Sequence, residues 1–205
     1  MKNTCISLLF LAALLLPAKA QNDPKHELYA SYGVISVQDF TILFQTIFEE
    51  IEGGIVNGII MELGGPGITW ERQTRGTGAI GLGYNHYLSP RWTLGPFGNY
   101  VGYKRVLTFS NGNVATAKDR FYTLLLRTDY RWVNRKGFQM YSGLAAGANY
   151  IHSFDTAPGG DELRNLIPAG QVNALGLRFG NSFGVLVELG FGWNGIAAGG
   201  LSARW

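Results

Sequence analysis

From about Gly76 to Trp205 the chain alternates apolar with polar or very small side chains, in segments of roughly ten residues whose links are alternately short and long. Successive side chains on a strand point to opposite faces, so each segment has one apolar face and one polar face. Repeated units of about ten residues with this period are the pattern of a transmembrane β-barrel. A soluble β-sandwich also shows period two, and the placing of the aromatic residues separates the two. Tyr122 with Tyr130 and Trp132, Phe138 with Tyr150, and Phe183 with Phe191 and Trp193 bracket aliphatic or small residues, as the two interfacial girdles of a barrel do.

The N-terminus agrees with export. Lys2 is a positive n-region, Ile6 to Leu16 an apolar h-region, and Ala18-Lys19-Ala20 a small-x-small cleavage site, so residues 1–20 read as a signal peptide and 21–205 as the barrel domain. The apolar run of about eleven residues is too short to cross ~30 Å of hydrocarbon as a helix. Cys5, the only cysteine, lies too early for a lipoprotein acceptor and leaves with the signal. No thiol remains for disulfides, metal or catalysis, although an exported compartment would permit disulfides. Without Lys2 and Lys19, 15 basic residues face 14 acidic ones, which argues against a nucleic-acid partner, since that needs a basic excess. After the signal no apolar stretch approaches eighteen residues. Any crossing of a membrane must then be by closed β-structure, which leaves no backbone group unpaired in lipid.

Eight strands are expected: Glu27 to Val34, Arg75 to Leu88, Trp92 to Val106, Arg120 to Val133, Phe138 to His152, Ala169 to Phe179, Phe183 to Trp193 and Ile196 to Trp205. Tight turns fall at Ser89-Pro90-Arg91, Asn134 to Gly137 and Gly180-Asn181-Ser182, and longer links at Leu107 to Asp119 and Ser153 to Pro168. Asn194-Gly195 suits a type I′ hairpin. With an even strand number both termini and all three tight turns lie on one side, as periplasmic turns should.

Where alternation is strong the faces can be assigned. Tyr122, Leu124, Leu126, Tyr130 and Trp132 face lipid, opposite Thr123, Arg127, Asp129 and Arg131, with Leu125 as the exception. Phe183, Val185, Val187, Leu189, Phe191 and Trp193 face outward, opposite Gly184, Leu186, Glu188, Gly190 and Gly192. Phe138, Met140, Leu144, Ala146, Ala148 and Tyr150 oppose Gln139, Tyr141, Gly143, Gly147 and Asn149. More weakly, Ile80, Leu82 and Tyr84 oppose Ala79, Gly81, Gly83 and Asn85, while Leu175, Leu177 and Phe179 oppose Ala174, Gly176 and Arg178. The third strand is ambiguous: Trp92 and Leu94 have one parity, Phe97, Val101 and Tyr103 the other, which suggests a bulge.

One segment breaks the strand period. Phe40, Leu43, Phe44, Ile47, Phe48 and Ile51 recur at helical spacing after Ser36 and Asp39, a start signal, and before Gly53-Gly54, a stop. The spacing predicts an amphipathic helix of about four turns over Val37 to Ile51, inside a first long loop of residues 35–73. It either packs by its apolar face against the barrel mouth or lies in the outer leaflet. Asp39, Glu49, Glu50 and Glu52 leave its polar face without a cation, which favours the mouth. The stretch from Gly53 to Gly67 is too apolar for an ordinary exposed loop.

Arg127, Asp129, Arg131, Arg178, Glu188 and Arg204 are expected to point into the lumen. An unpaired buried ion is costly, so they form either a structural ion-pair network that plugs the barrel or the wall of a narrow gated ion path. An eight-stranded barrel has an interior just wide enough for side chains, which excludes a wide pore. For an enzyme, which would need a nucleophile with a base in reach, the one adjacent pair is His152-Ser153, with Asp155 close by. Neighbours on a strand point to opposite faces, and no motif surrounds them; catalytic residues are therefore expected to be absent. No His/Cys/Glu cluster has metal spacing and no phosphate loop occurs, so neither metal nor cofactor is expected.

His26 to Gly33, the Gly-Ala-Ile-Gly-Leu-Gly-Tyr run from Gly78 to Tyr84, and the closing Gly199 to Trp205 resemble the small outer-membrane β-barrel proteins of the OmpA/OmpX type, particularly those of Bacteroidetes-like bacteria. The resemblance implies an all-β fold, an eight-stranded antiparallel barrel in the bacterial outer membrane. It also implies outer-membrane lipids and lipopolysaccharide as surroundings, and the barrel-insertion machinery as a partner reading a C-terminal signal that includes Leu201 and Trp205. Trp205 stands where phenylalanine is commoner. Such motifs specify a barrel and no activity. The expectation is a non-enzymatic barrel with a structural or surface-interaction role through its extracellular loops. A narrow porin-like channel is the alternative, and a lipid-modifying enzyme a more distant one.

Overall fold

The structure is a computed structural model that describes residues 24–64, 70–110, 112–155 and 162–205; the expected signal peptide lies outside them. In chain order the elements are β1 (His26–Val34), α1 (Val37–Glu62), β2 (Trp70–Gly76), β3 (Ala79–Tyr87), β4 (Trp92–Phe109), β5 (Val114–Arg135), β6 (Phe138–Asp155), β7 (Glu162–Phe179), β8 (Phe183–Gly192) and β9 (Ala197–Arg204). Around the sheet the order is β1, β3, β4, β5, β6, β7, β8, β9, and β9 pairs with β1 again. Every pairing is antiparallel. The sheet is thus an eight-stave closed ring, and closure removes the unpaired edges that an open sheet would expose.

β2 is the upper half of a stave. It pairs Trp70 through Gly76 with Phe109 through Tyr103, above the point where β3 pairs Ile80 with Tyr100. The break falls at Thr77-Gly78. Gly78 takes φ 70°, while Thr77 donates its N–H to the Gly102 carbonyl at 2.9 Å and receives the Gly102 N–H on its hydroxyl at 2.9 Å. The second stave therefore starts five residues earlier than expected.

The longer links also prove to be mainly strand. β4 and β5 stay paired from Trp92↔Tyr130 to Thr108↔Val114 without a shift, so most of Leu107 to Asp119 is hairpin. β6 and β7 pair up to Phe154↔Glu162. Both hairpins stand above the ring as ordered walls. The third expected strand needs no bulge either: Thr93, Phe97, Asn99, Val101 and Tyr103 are buried in one unbroken parity, opposite exposed Trp92 and Leu94. Its ambiguity arose because its inward face is itself apolar. Register shifts occur instead at Arg131/Val133, Tyr141/Gly143 and Asn173/Leu175. At the last of these Ala174, expected to face inward, is the extra residue and is exposed.

Trp193, expected to face lipid, is buried. β8 ends at Gly192, whose φ of 143° turns the chain across the ring, and Trp193 joins Tyr103, Phe121 and Ile42 in the upper core. At the following turn Gly195 alone takes positive φ, 101°; a type I′ turn would need it at Asn194 as well.

α1 is longer than expected and turned the other way. It runs 26 residues, straight through Gly53-Gly54, so the glycines cost helix propensity without ending it. Gln38 and Ile42 are the residues it buries, while Leu43, Phe44, Ile47, Phe48 and Ile51, the stripe expected to pack on the mouth, are exposed. The docked face is held by polar contacts. Asp39 accepts hydrogen bonds from the Ser36 N–H at 2.5 Å, the Ser36 hydroxyl at 2.7 Å and the Tyr103 hydroxyl at 2.5 Å. Glu49 pairs with Arg72 and Arg105, each at 3.0 Å, and Arg72 also donates to the Thr46 carbonyl at 3.1 Å. Among the described residues no helix is long and apolar enough to cross a membrane, a test that does not bear on strands.

Candidate functional site

The ring has an inverted polarity. Its outer face carries Leu28, Ile80, Leu82, Leu124, Leu126, Leu144, Val172, Val185, Leu189 and Leu201, all exposed. Its interior holds ionisable side chains: Glu27, Arg127, Asp129, Arg131, Arg178 and Glu188 are each at most 3% exposed. Strand alternation does the sorting, since a residue's parity alone decides which side it meets. Two rows of outward aromatics bound the apolar zone. Tyr100, Tyr122 and Tyr150 form one across β4, β5 and β6, with ring centroids 5.3 and 6.4 Å apart. Trp92 with Tyr130 at 4.9 Å and Phe138 with Phe179 at 5.3 Å form the other.

The lumenal charges divide into two clusters. In the upper one the Arg127 guanidinium meets Asp129 at 2.8 Å and makes a two-pronged pair with Glu188, one prong at 3.2 Å. Tyr141 donates to Glu188 at 2.7 Å and Asn173 at 3.3 Å. Arg127 lies over the rings of Tyr29 and Tyr141 at 5.3 and 5.8 Å. Both rings need the inward glycines opposite: a Cβ on Gly83 would collide with Tyr29, and one on Gly176 with Tyr141.

In the lower cluster Glu27 is the hub. It pairs with Arg131 at 3.1 Å and with Arg178 at 2.8 Å, and receives hydrogen bonds from Tyr87 at 3.2 Å and Asn85 at 3.4 Å. Arg131 lies 4.4 Å over the Tyr87 ring and donates to Thr93 at 3.0 Å. Arg178 donates to Ser202 at 2.6 Å and to the carbonyls of Gly180 and Asn181 at 2.6 and 3.0 Å. Three carboxylates thus face three guanidiniums. The space between the clusters, lined by Glu27, Tyr29, Asn85, Arg127, Tyr141, Leu186 and Glu188, measures about 10 Å³, no more than one water needs.

Arg204 stands apart from the other five expected charges. It is half-buried at the lower rim, donating to the carbonyls of Gly180 and Asn181 at 3.1 and 3.0 Å and to Tyr87 at 3.4 Å. Of the expected insertion signal, Leu201 is exposed on the outer face and Trp205 stacks on His26 at 5.9 Å. Glu27 is the functional residue that sequence reasoning missed. In His26 to Gly33 the odd positions Glu27, Tyr29, Ser31 and Gly33 alternate with His26, Leu28, Ala30 and Tyr32, a run too short and too mixed to declare which face is inward.

Above the ionic clusters the lumen is polar and then apolar. Thr123 donates to Asn149 at 2.9 Å, Gln171 to Asn173 at 3.0 Å, and Asn99 to the Trp193 carbonyl at 2.8 Å. Val101, Tyr103, Phe121, Trp193 and Ile42 close the top. Above the apolar belt, at this closed top, the hydroxyl of Tyr103 is pushed above its ordinary pKa, first by burial and then by its bond to the Asp39 carboxylate. On the exposed hairpin Glu162 is held below the usual carboxylate range by its bond from Arg164 and then by that from His152. The one adjacent nucleophile and base do not meet, since His152 faces outward to Glu162 at 2.5 Å whereas Ser153, on the opposite parity, faces inward. Among the described residues no group of three or more His, Cys, Asp or Glu could hold a metal.

Together, a closed eight-stave ring, an apolar outer belt and a charged interior define an inside-out β-barrel of the small type. No family model matches the sequence, and no curated protein matches it. Among solved structures the chain is similar to Ail, the attachment invasion locus protein of Yersinia pestis, at 10% identity and a TM-score of 0.42, over 89% of this chain and 98% of that one. The same protein in complex with the heparin analogue sucrose octasulfate gives 12% identity and a TM-score of 0.40, over 88% and 98%.

Proposed function

We propose that the chain is an integral outer-membrane barrel with a closed lumen and no enzymatic role, acting in envelope structure or in surface contacts through its raised hairpins. The observation that carries this reading is the inverted polarity. A soluble barrel would have to expose its belt of leucines, valines and phenylalanines to water, an area far beyond the few hundred Å² that soluble monomers expose. Lipid removes that cost. From Tyr122 to Trp132 the fourth stave rises ten residues, and at ~3.3 Å per residue with ~40° of tilt this is about 25 Å, the height of an apolar barrel band.

Closure of the lumen is supported by the ionic clusters, in which every guanidinium has a carboxylate partner. Refolded protein is expected to need detergent, to shift its gel mobility on heating, and to give no conductance steps in a planar bilayer. A monomer soluble without detergent would overturn the membrane reading, and steady unitary steps would overturn closure. A narrow ion path is the second reading. Ser31, Gln38, Asn99, Asn149 and Asn194 keep buried polar atoms without a hydrogen-bond partner among the described residues, and such atoms recruit water.

A further inference from the structure

The outward face just above the upper tyrosine row is charged on one side only. Tyr100, Tyr122, Tyr150 and Leu166 share one level of the ladder. One outward step higher the paired residues are Gly102, Arg120, His152 and Arg164, and one step higher again Arg75, Lys104, Lys118, Phe154 and Glu162. Each step of two residues climbs about 5 Å at the usual rise and tilt, so the first level falls in the polar headgroup layer, which adds roughly 5–8 Å to each side of the hydrocarbon, and the second, about 10 Å above the tyrosines, stands at its outer edge, where a long lysine side chain reaches back into it. Outward side chains at these two levels face the headgroups.

Five cations stand there against one acid, Glu162, which is already engaged by Arg164 at 2.8 Å and His152 at 2.5 Å. Lys104 and Lys118 are directly opposite one another across β4 and β5, a like-charge pair that is unfavourable by itself and favoured by an anion between them. Arg120 and Lys118 are held over the Phe154 ring at 5.0 and 5.9 Å. By contrast, β1, β8 and β9 carry Tyr32, Val34, Phe191 and Ile196 at the upper rim, with no lysine or arginine.

We infer that Lys104, Lys118 and Arg120, flanked by Arg75 and Arg164, form a binding site on the outer wall of the barrel for the phosphate of a phosphorylated glycolipid headgroup in the outer leaflet. The inference rests on the membrane reading above and adds a ligand class and a fixed side. Neighbouring staves are about 4.8 Å apart, so one phosphate reaches all three cations, with the arginine able to bind two of its oxygens.

The test uses the mature chain refolded into phosphatidylcholine nanodiscs containing either bis-phosphorylated lipid A or the same lipid after phosphatase treatment, with retained lipid counted by native mass spectrometry. The wild type is expected to retain the phosphorylated form about tenfold or more over the other. Lys104→Gln/Lys118→Gln/Arg120→Gln should remove the preference, whereas Arg91→Gln/Arg135→Gln/Lys136→Gln at the opposite rim should keep it. Equal retention of the two lipids by inserted wild-type protein, or equal loss in both triple variants, overturns the site while leaving the membrane reading intact. Failure to insert overturns that reading instead. Equally tight binding of the soluble bis-phosphorylated disaccharide without acyl chains would show that free phosphate suffices and overturn the assignment to lipid.

Discussion

At the scale of the residue, Glu27 has the largest structural consequence for its size. Parity alone brings Arg127, Asp129, Arg131, Arg178 and Glu188 to one side of their strands, and their placing was legible because each lies within a long alternating run. Glu27 lies second in a nine-residue strand, too near its end for alternation to declare a face, so its role as hub could be read only once β1 was seated between β3 and β9. Glu27→Gln should leave Arg131 and Arg178 without a counter-charge and destabilise the barrel by about 3–5 kcal/mol, the usual result of breaking a buried pair. Urea unfolding in lipid vesicles measures it. Adding Arg131→Met should recover part of the loss; additive losses would mean that the two are not coupled. In the upper cluster Glu188→Gln is expected to cost more than Glu188→Gln combined with Arg127→Met, for the same reason, and the same unfolding series checks both pairs.

At the scale of the element, α1 was legible in its existence and start but not in its length or orientation. Helical spacing and the Ser36/Asp39 start fixed the N-terminus, since those signals are local. The stop failed because glycine only weakens a helix interior. The packed face was misjudged because the sequence offers its apolar stripe first, whereas the Glu49 pairs to Arg72 and Arg105 are non-local and leave no periodic trace. Two consequences can be measured. Glu49→Ala should loosen the helix and make Gly53-Gly54 more sensitive to external protease while the barrel stays folded, because its ladder is independent of the loop; unchanged resistance would argue against polar docking.

The second consequence concerns pH. The pKa of Tyr103 is raised in the folded state, so its contribution is whole below the ordinary tyrosine value of about 10 and fades as pH climbs beyond that toward the folded value. Docking of α1 should therefore weaken above about pH 10. Tyr103→Phe should remove that step, at a cost of about 1.5–3 kcal/mol for a hydrogen bond to a charged group. Protease protection of the helix followed against pH in both proteins distinguishes this from general alkaline unfolding, which would proceed alike in the two.

For the whole molecule, strand number and closure were the most legible features, because eight alternating runs and an even count constrain each other. The heights of the walls were not. Leu107 to Asp119 and Ser153 to Pro168 carry weak alternation and several charges, and read as loops until pairing between their two arms is known; cross-strand partners, unlike strand parity, are set by tertiary contact. This shapes the topology expected on a cell. If the tight turns at Ser89 to Arg91 and Asn134 to Gly137 lie in the periplasm, the rigid hairpins of β4/β5 and β6/β7 project outward as the parts that stand highest above the membrane. A short epitope inserted in the turn at 110–113 should then be labelled by antibody on intact cells, and one inserted between Asn134 and Gly137 only after the outer membrane is opened. Because the hairpin is paired as far as Thr108 and Val114, inserting beyond that pairing adds loop length at a cost of only about 0.6 kcal/mol per doubling and should leave the heat-shifted gel band unchanged. Labelling of the Asn134 site on intact cells would reverse the orientation, and would carry the one-sided cationic wall into the periplasmic leaflet with it.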